Sequence, residues 1–306
     1  MRKTIFILFF IATTFFSFAQ QDNFNSQYFV NELGINPAVA GSKSYNPLVI
    51  VTRQQWLGFQ GAPISANISY HGALNNRSGL GGSLYHYQTA EVGNSVFELD
   101  YSYHLPLDKD RINLAFGIGI KSIYYTLDLQ AGNLPPGEDP AFTSNTYSRF
   151  LADVSSGFYL YGSNFYAGYS VLNIMQSNFS KESGDGFSKN YLYRNYIGIL
   201  GYKYGYNRDI SIEPSLLLRK TEITRMAYDF STRVFIKNQF WTGLGYRTNK
   251  SMCVILGFRY GKMHFTYSYD HYFNDINAYQ HGTHELSISF QLPSVLNQRH
   301  VNFWDY

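Results

Sequence analysis

A single cysteine, Cys253, occurs in 306 residues, so no internal disulfide staples the fold. It sits in an apolar, strand-like run, which marks it as lipid- or core-facing rather than reactive. Charge is scarce as well. Asp, Glu, Lys and Arg make up 15% of the chain, less than a soluble helical protein usually carries. The formal net charge of +3 is too small to argue for nucleic acid, and no Arg/Lys cluster marks a phosphate-binding groove. After residue 19 no segment approaches the ~20 apolar residues of a membrane helix. No Ser stands in a nucleophile elbow, and no catalytic carboxylate pair or spaced Ser/His/Asp set can be named. The sequence therefore reads as non-enzymatic and calls for no cofactor.

What is present starts at the N-terminus. Arg2 and Lys3 precede an apolar run from Ile5 to Phe16, and Ser17-Phe18-Ala19 forms a small-x-small cleavage site before Gln20. Residues 1–19 thus read as a secretory signal peptide, with an apolar run too short to span a bilayer comfortably. No Cys follows the cleavage site, which excludes a lipoprotein anchor. Residues 20–46 are polar and Asn-rich and read as an ordered lead-in rather than a strand.

From residue 47 the dominant pattern is alternation with a period of two. Phe97, Leu99, Tyr101, Tyr103 and Leu105 alternate with Glu98, Asp100, Ser102 and His104. Ile112 to Lys121, Met263 to Asp270 and Glu285 to Leu292 behave the same way. A water-soluble sandwich would give this alternation too. The 28 Tyr and 25 Phe, spread over bulky apolar faces along the whole chain, favour a membrane barrel whose aromatic residues meet lipid. About 14 strands are expected, at 47–55, 64–72, 80–88, 95–105, 111–125, 148–161, 163–171, 191–205, 209–219, 225–237, 240–248, 251–260, 262–270 and 283–292, an even number suited to an outer-membrane barrel. The longest connections, 126–147, 172–190 and 271–282, follow odd strands, and most of those after even strands are short. Outer-membrane barrels have short periplasmic turns and long extracellular loops. This predicts one barrel domain over 47–292 in the outer membrane, contacting its lipid, with both termini and a 293–306 tail on the periplasmic side.

Several motifs have competing readings. His281-Gly282-Thr283-His284-Glu285, with Asp270 and His271, has the residue types of a zinc site, but Glu285 opens an alternating strand and outer loops are often polar. Gly117-x-Gly119 and Gly243-x-Gly245 lie within strands with no helix after them, so they read as lumen-facing small residues or curvature glycines rather than phosphate loops. Glu98, Asp100, Lys121, Glu213, Arg219, Arg247, Arg259 and Asp270 fall on the inward face. Opposite charges there can pair across a plugged lumen, or line a selective pore. The segment Arg53 to Pro63 reads as an aromatic-tipped hairpin connection, in which Trp56 and Phe59 can serve as headgroup anchors.

Three blocks of residues carry a family resemblance. Asn36-Pro37-Ala38-Val39-Ala40-Gly41 is similar to an NPAxAG lead-in. Arg53-Gln54-Gln55-Trp56-Leu57-Gly58-Phe59-Gln60-Gly61-Ala62-Pro63 is similar to an RxQWxGxxGAP signature. Ser268-Tyr269-Asp270 followed by Gly282-Thr283-His284-Glu285-Leu286 is similar to a closing SYD…GSHEI block, with Thr283 for Ser and Leu286 for Ile. Weaker echoes lie at Gly79-Leu80-Gly81, Tyr101 to His104, Asp139 to Phe142 and Pro214 to Arg219, and His86-Tyr87-Gln88 departs from an expected Asp-bearing turn. Over about residues 28–292 the chain resembles the PorP/SprF family of type IX secretion system outer-membrane proteins. The resemblance implies a barrel without catalytic activity. It implies a secreted adhesin or another substrate with a C-terminal sorting domain as one partner, and a periplasmic peptidoglycan-binding protein as another. It also implies support of gliding motility in gliding species. The two strongest blocks fall at the first and last outer loops, flanking the barrel's closing seam, where they are expected to pack together and to support partner binding.

Overall fold

A computed structural model describes residues 25–108, 112–128, 146–178 and 191–294. The signal-peptide reading, most of the 126–147 and 172–190 loops, the Asp139 echo and nearly all of the tail lie outside the described residues. The strands, in chain order, are β1 Asn46–Gln54, β2 Ile64–Ala73, β3 Ser78–Thr89, β4 Val92–Asp108, β5 Ile112–Asp128, β6 Thr146–Gly162 and β7 Phe165–Leu172. There follow β8 Asn195–Tyr202, which resumes after Lys203 as Tyr204–Gly205, then β9 Ile210–Thr221, β10 Ala227–Ile236, β11 Phe240–Arg247, β12 Ser251–Tyr260, β13 Met263–Tyr272 and β14 Thr283–Leu292. Each pairs antiparallel with its neighbours in sequence, and β14 pairs with β1 from Leu292 opposite Asn46 to His284 opposite Gln54. The result is a closed 14-strand barrel. Closure leaves no sheet edge and satisfies the backbone within the wall, which is what a strand-built membrane protein requires.

The alternation resolves the choice between sandwich and membrane barrel. In β4 the apolar set Phe97, Leu99, Tyr101, Tyr103 and Leu105 points outward and is exposed, while Glu98, Asp100, Ser102 and His104 point inward and are buried. A soluble sandwich would bury the opposite set. The same inversion holds in β2, with Ile64, Ile68 and Tyr70 outside and Ser65, Asn67, Ser69 and His71 inside.

Connections after even strands are tight. Between β10 and β11, Lys237 and Asn238 both adopt positive φ, 53° and 48°, the twist a two-residue-type hairpin turn needs. The parity has two exceptions among the connections after odd strands: β11 and β12 are joined by residues 248–250, and β3 and β4 at Ala90 and Glu91 alone. Below, the rim at which β1 starts is called the terminal rim, and the opposite one the long-loop rim.

The lead-in does not stay outside. From Asn25 it runs down the lumen from the long-loop rim to the terminal rim, where β1 begins. The two ends of the barrel, Asn46 and Leu292, lie together at the terminal rim, while the lead-in reaches the opposite rim near Ser26. Ser26 lies beside residues one to two positions from the long-loop ends of β1, β13 and β14. Tyr28, Leu33, Ile35, Ala38, Val39 and Ala40 are all buried by the wall. Inward aromatic side chains meet them. Tyr159, Tyr161 and Tyr166 join the core cluster with Tyr28, Phe29 and Val39, so the aromatic content is not all lipid-facing.

Candidate functional site

The lead-in is held in two different ways. Its upper end enters a network of charge. Arg53 on β1 donates from Nη1 to Glu285 Oε2 on β14 at 2.8 Å and from Nη2 to Asp270 Oδ2 on β13 at 3.0 Å. Arg247 on β11 joins Asp270 to Asp229 on β10, at 3.1 and 3.3 Å. Arg219 on β9 closes the row on Asp229 at 3.0 Å. Three arginines thus face three carboxylates across the wall. Ser26 is inserted into this row: its N–H donates to Glu285 Oε2 at 2.7 Å, its hydroxyl to Asp270 Oδ2 at 2.6 Å, and it accepts from Arg53 Nη1 at 2.6 Å. Gln27 adds a bond from its N–H to Glu285 Oε1 at 2.8 Å and accepts from Ser287 Oγ at 2.6 Å. Charged groups this deeply buried are costly unless paired and hydrogen-bonded, so the lead-in is part of what satisfies them.

The lower part is held by small residues and neutral bonds. Asn36, in an extended conformation, accepts from the Ala38 N–H and caps the 3-10 turn Pro37–Val39, with Pro37 supplying a preset φ and no orphan donor. Its Nδ2 donates to Phe158 O on β6 at 2.9 Å. Gly117 lets the turn touch β5, because a Cβ there would run into the Pro37–Ala38 backbone. His104 donates from Nε2 to Ala40 O at 2.8 Å and accepts at Nδ1 from Tyr161 at 2.7 Å. The Asn-Pro-Ala motif is therefore a plug element, and its glycine partners are reached only through the fold.

Other inward charges are paired within the lumen. Glu213 meets Arg233 at 2.6 Å, and that guanidinium stacks over Phe29 of the lead-in, 3.6 Å from its ring centre. Lys43 meets Glu32 at 3.1 Å within the lead-in. Lys121 lies 3.6 Å from Glu98. Arg259 departs from the expected set. It keeps inward parity but is only half-buried near the terminal end of β12, where its Nε donates to Gly261 O. Cavities flank the plug. One of 390 Å³ is lined by Asn25, Tyr87 and Asn94 toward the long-loop rim, and one of 70 Å³ by Lys43, Tyr45 and Ser289 toward the terminal rim.

At the long-loop rim the first and last loops are joined above the seam. Leu57 N–H donates to Gly282 O and His281 N–H to Leu57 O, each at 2.8 Å. Trp56 N–H donates to Thr283 Oγ1 at 3.2 Å, and its ring meets Tyr272 and Phe59 edge-on. Gln55 is buried beneath, with its N–H donating to Pro63 O at 2.9 Å, and Gly61 O accepts from Ala90 N–H at 3.0 Å. Gly58, Gly61 and Gly282 adopt φ of +91°, +70° and +87°, conformations that a side chain disfavours. Leu57, Phe59, Phe273 and Tyr279 remain exposed around this junction. The zinc-like grouping is divided by the wall. Asp270 and Glu285 are committed inward to Arg53, while His284 faces outward and bonds Tyr267 at 2.7 Å.

Comparison with known proteins agrees with this geometry. The family model described as type IX secretion system membrane protein PorP/SprF matches residues 17–290. Among solved structures, the Ralstonia pickettii toluene transporter TbuX is similar at 9% identity and a TM-score of 0.50, covering 86% of this chain and 93% of that one. The monoaromatic hydrocarbon channel CymD is similar at 10% identity and a TM-score of 0.51, covering 88% and 93%. At such identities the likeness is one of fold alone. No curated protein matches the chain.

Proposed function

The chain belongs to the PorP/SprF family of type IX secretion system membrane proteins, and from that premise we propose that it is a plugged, non-enzymatic outer-membrane barrel that retains or passes an exported protein at the cell surface. The observation that carries the reading is the lead-in lodged through the lumen and tied to both ends of the wall. A closed lumen suits an anchor better than a diffusion channel for small solutes, the competing reading. In this account the long-loop rim faces outside. The Trp56 loop and the 273–282 loop, joined above the seam, carry Leu57, Phe59, Phe273 and Tyr279 as the contact surface for a secreted adhesin or another substrate's C-terminal domain. Exposed aromatic and apolar side chains on a rigid base are the usual anchors of such interfaces. A peptidoglycan-binding partner would engage the terminal rim, and support of gliding motility belongs to the same reading.

The test is co-purification of the full chain with a secreted adhesin from its own cells. Replacing Asp275–Tyr279 by a short Gly/Ser linker should abolish capture while the barrel still folds. Undiminished capture by that variant would remove the surface-loop account.

A further inference from the structure

The lumen wall formed by β4, β5 and β6 carries a group that neither the plug nor the family reading uses. Asp100 is buried, 1% exposed, and neither of its carboxylate oxygens has a hydrogen-bond partner among the described residues. It lies next to a second buried carboxylate, Glu98, whose Oε1 accepts from Ser155 Oγ at 2.7 Å. The nearby ammonium is Lys121, 3.6 Å from Glu98 Oε2. Asp153, the next acid along this wall, is already satisfied by the N–H groups of Val154, Met175 and Ser177. Two carboxylates therefore share one cation, which leaves one uncompensated negative charge in a buried place, a costly arrangement.

The oxygens also converge. Gly119 faces Asp100 across the β4–β5 ladder. A Cβ on Gly119 would lie 2.5 Å from Asp100 Oδ1, 2.7 Å from Glu98 Oε1 and against Ser155 Oγ. All three oxygens crowd the space that this glycine leaves open. Glu98 and Lys121 line the 390 Å³ cavity beside the plug, which gives the cluster a route toward the long-loop rim. Carboxylate and hydroxyl oxygens, with no imidazole or thiolate among them, select hard cations over transition metals.

We propose that Glu98, Asp100 and Ser155 bind a hard cation, with sodium the ion whose single charge balances the cluster. The bound ion would stabilise the β4–β6 wall where the plug rests on it. This goes beyond the secretion reading and does not depend on it.

The unfolding midpoint of the full-length protein in detergent tests the proposal, measured by heat-modified gel mobility at constant ionic strength. Choline chloride is the baseline, with sodium chloride or calcium chloride exchanged in. The wild-type midpoint should rise with the logarithm of sodium concentration, as binding to the folded state alone requires. Asp100→Asn, isosteric and without the surplus charge, should match or exceed the wild type in choline and lose the sodium response. Ser155→Ala should weaken that response. A rise with calcium but not sodium, lost in Asp100→Asn, keeps the hard-cation site and changes its ion. Equal responses in wild type and Asp100→Asn would overturn the proposal. So would a wild-type midpoint that ignores both salts but rises on mild acidification, the mark of a proton held between Glu98 and Asp100.

Discussion

The two sides of the lumen solve the same problem in opposite ways. Along β9–β11, β13, β14 and β1, long side chains reach inward, and three arginines meet three carboxylates around Ser26. Along β4–β6 the wall recedes into glycine and serine so that the backbone of Pro37 and Ala38 can lie against it. The first side holds the plug by charge-assisted bonds and the second by close approach. A barrel wall thus becomes a receptor for its own N-terminal segment by putting side chains where the plug offers donors, and removing them where it offers bulk. Charge pairing is strict on the seam side, whereas Asp100 is left without a partner on the other.

Substitutions can break this contrast in order of expected size. Arg53→Met leaves Glu285 buried without its cation and Asp270 with Arg247 alone, and should destabilise the barrel by about 3–5 kcal/mol, read as a lower unfolding midpoint in detergent and weaker closure of the β1–β14 seam. Ser26→Ala removes the hydroxyl's bonds to the Asp270 carboxylate and the Arg53 guanidinium, leaves the backbone bond to Glu285, and should cost about 1.5–3 kcal/mol. Limited proteolysis should then cut the lead-in faster while the strands stay protected. Trp56→Ala removes the edge contacts to Tyr272 and Phe59, about 0.5–1.5 kcal/mol for such a pair, and should lower heat stability and adhesin capture together. Loss of neither would return Trp56 to a simple headgroup anchor. Arg194→Ala breaks a partly exposed pair with Glu222 outside the plug and should shift stability by only about 0–1 kcal/mol.

Much of the wall was legible because the alternation is local. The strands Ser251–Tyr260 and Thr283–Leu292 coincide with their sequence pattern to the residue. The expected strand 191–205 instead starts at Asn195 and breaks at Lys203, since a run of mixed residues fixes no end. Parity pointed to some inward charges such as Glu98 and Arg247, but Asp153, Asp229 and Arg233 on the same face were not singled out, and the partners were not legible. Arg53 finds Asp270 and Glu285 more than two hundred positions away through a closure register that no local spacing records. The plug was least legible. The Asn36 to Gly41 motif has no periodicity, and the residues that explain it, Gly117, Phe158 and His104, are brought together only by the completed barrel. That Tyr159, Tyr161 and Tyr166 face the lumen was not legible, because composition alone does not tell which side of a wall a tyrosine faces.

Single-channel recording in planar bilayers shows whether the lead-in closes the lumen. Full-length protein should insert silently. Gly117→Leu, whose side chain occupies the place of the Pro37–Ala38 backbone, should displace the plug and open discrete conductance steps from a barrel that still shows heat-modifiable mobility. Steady conductance from the full-length wild type would contradict the account.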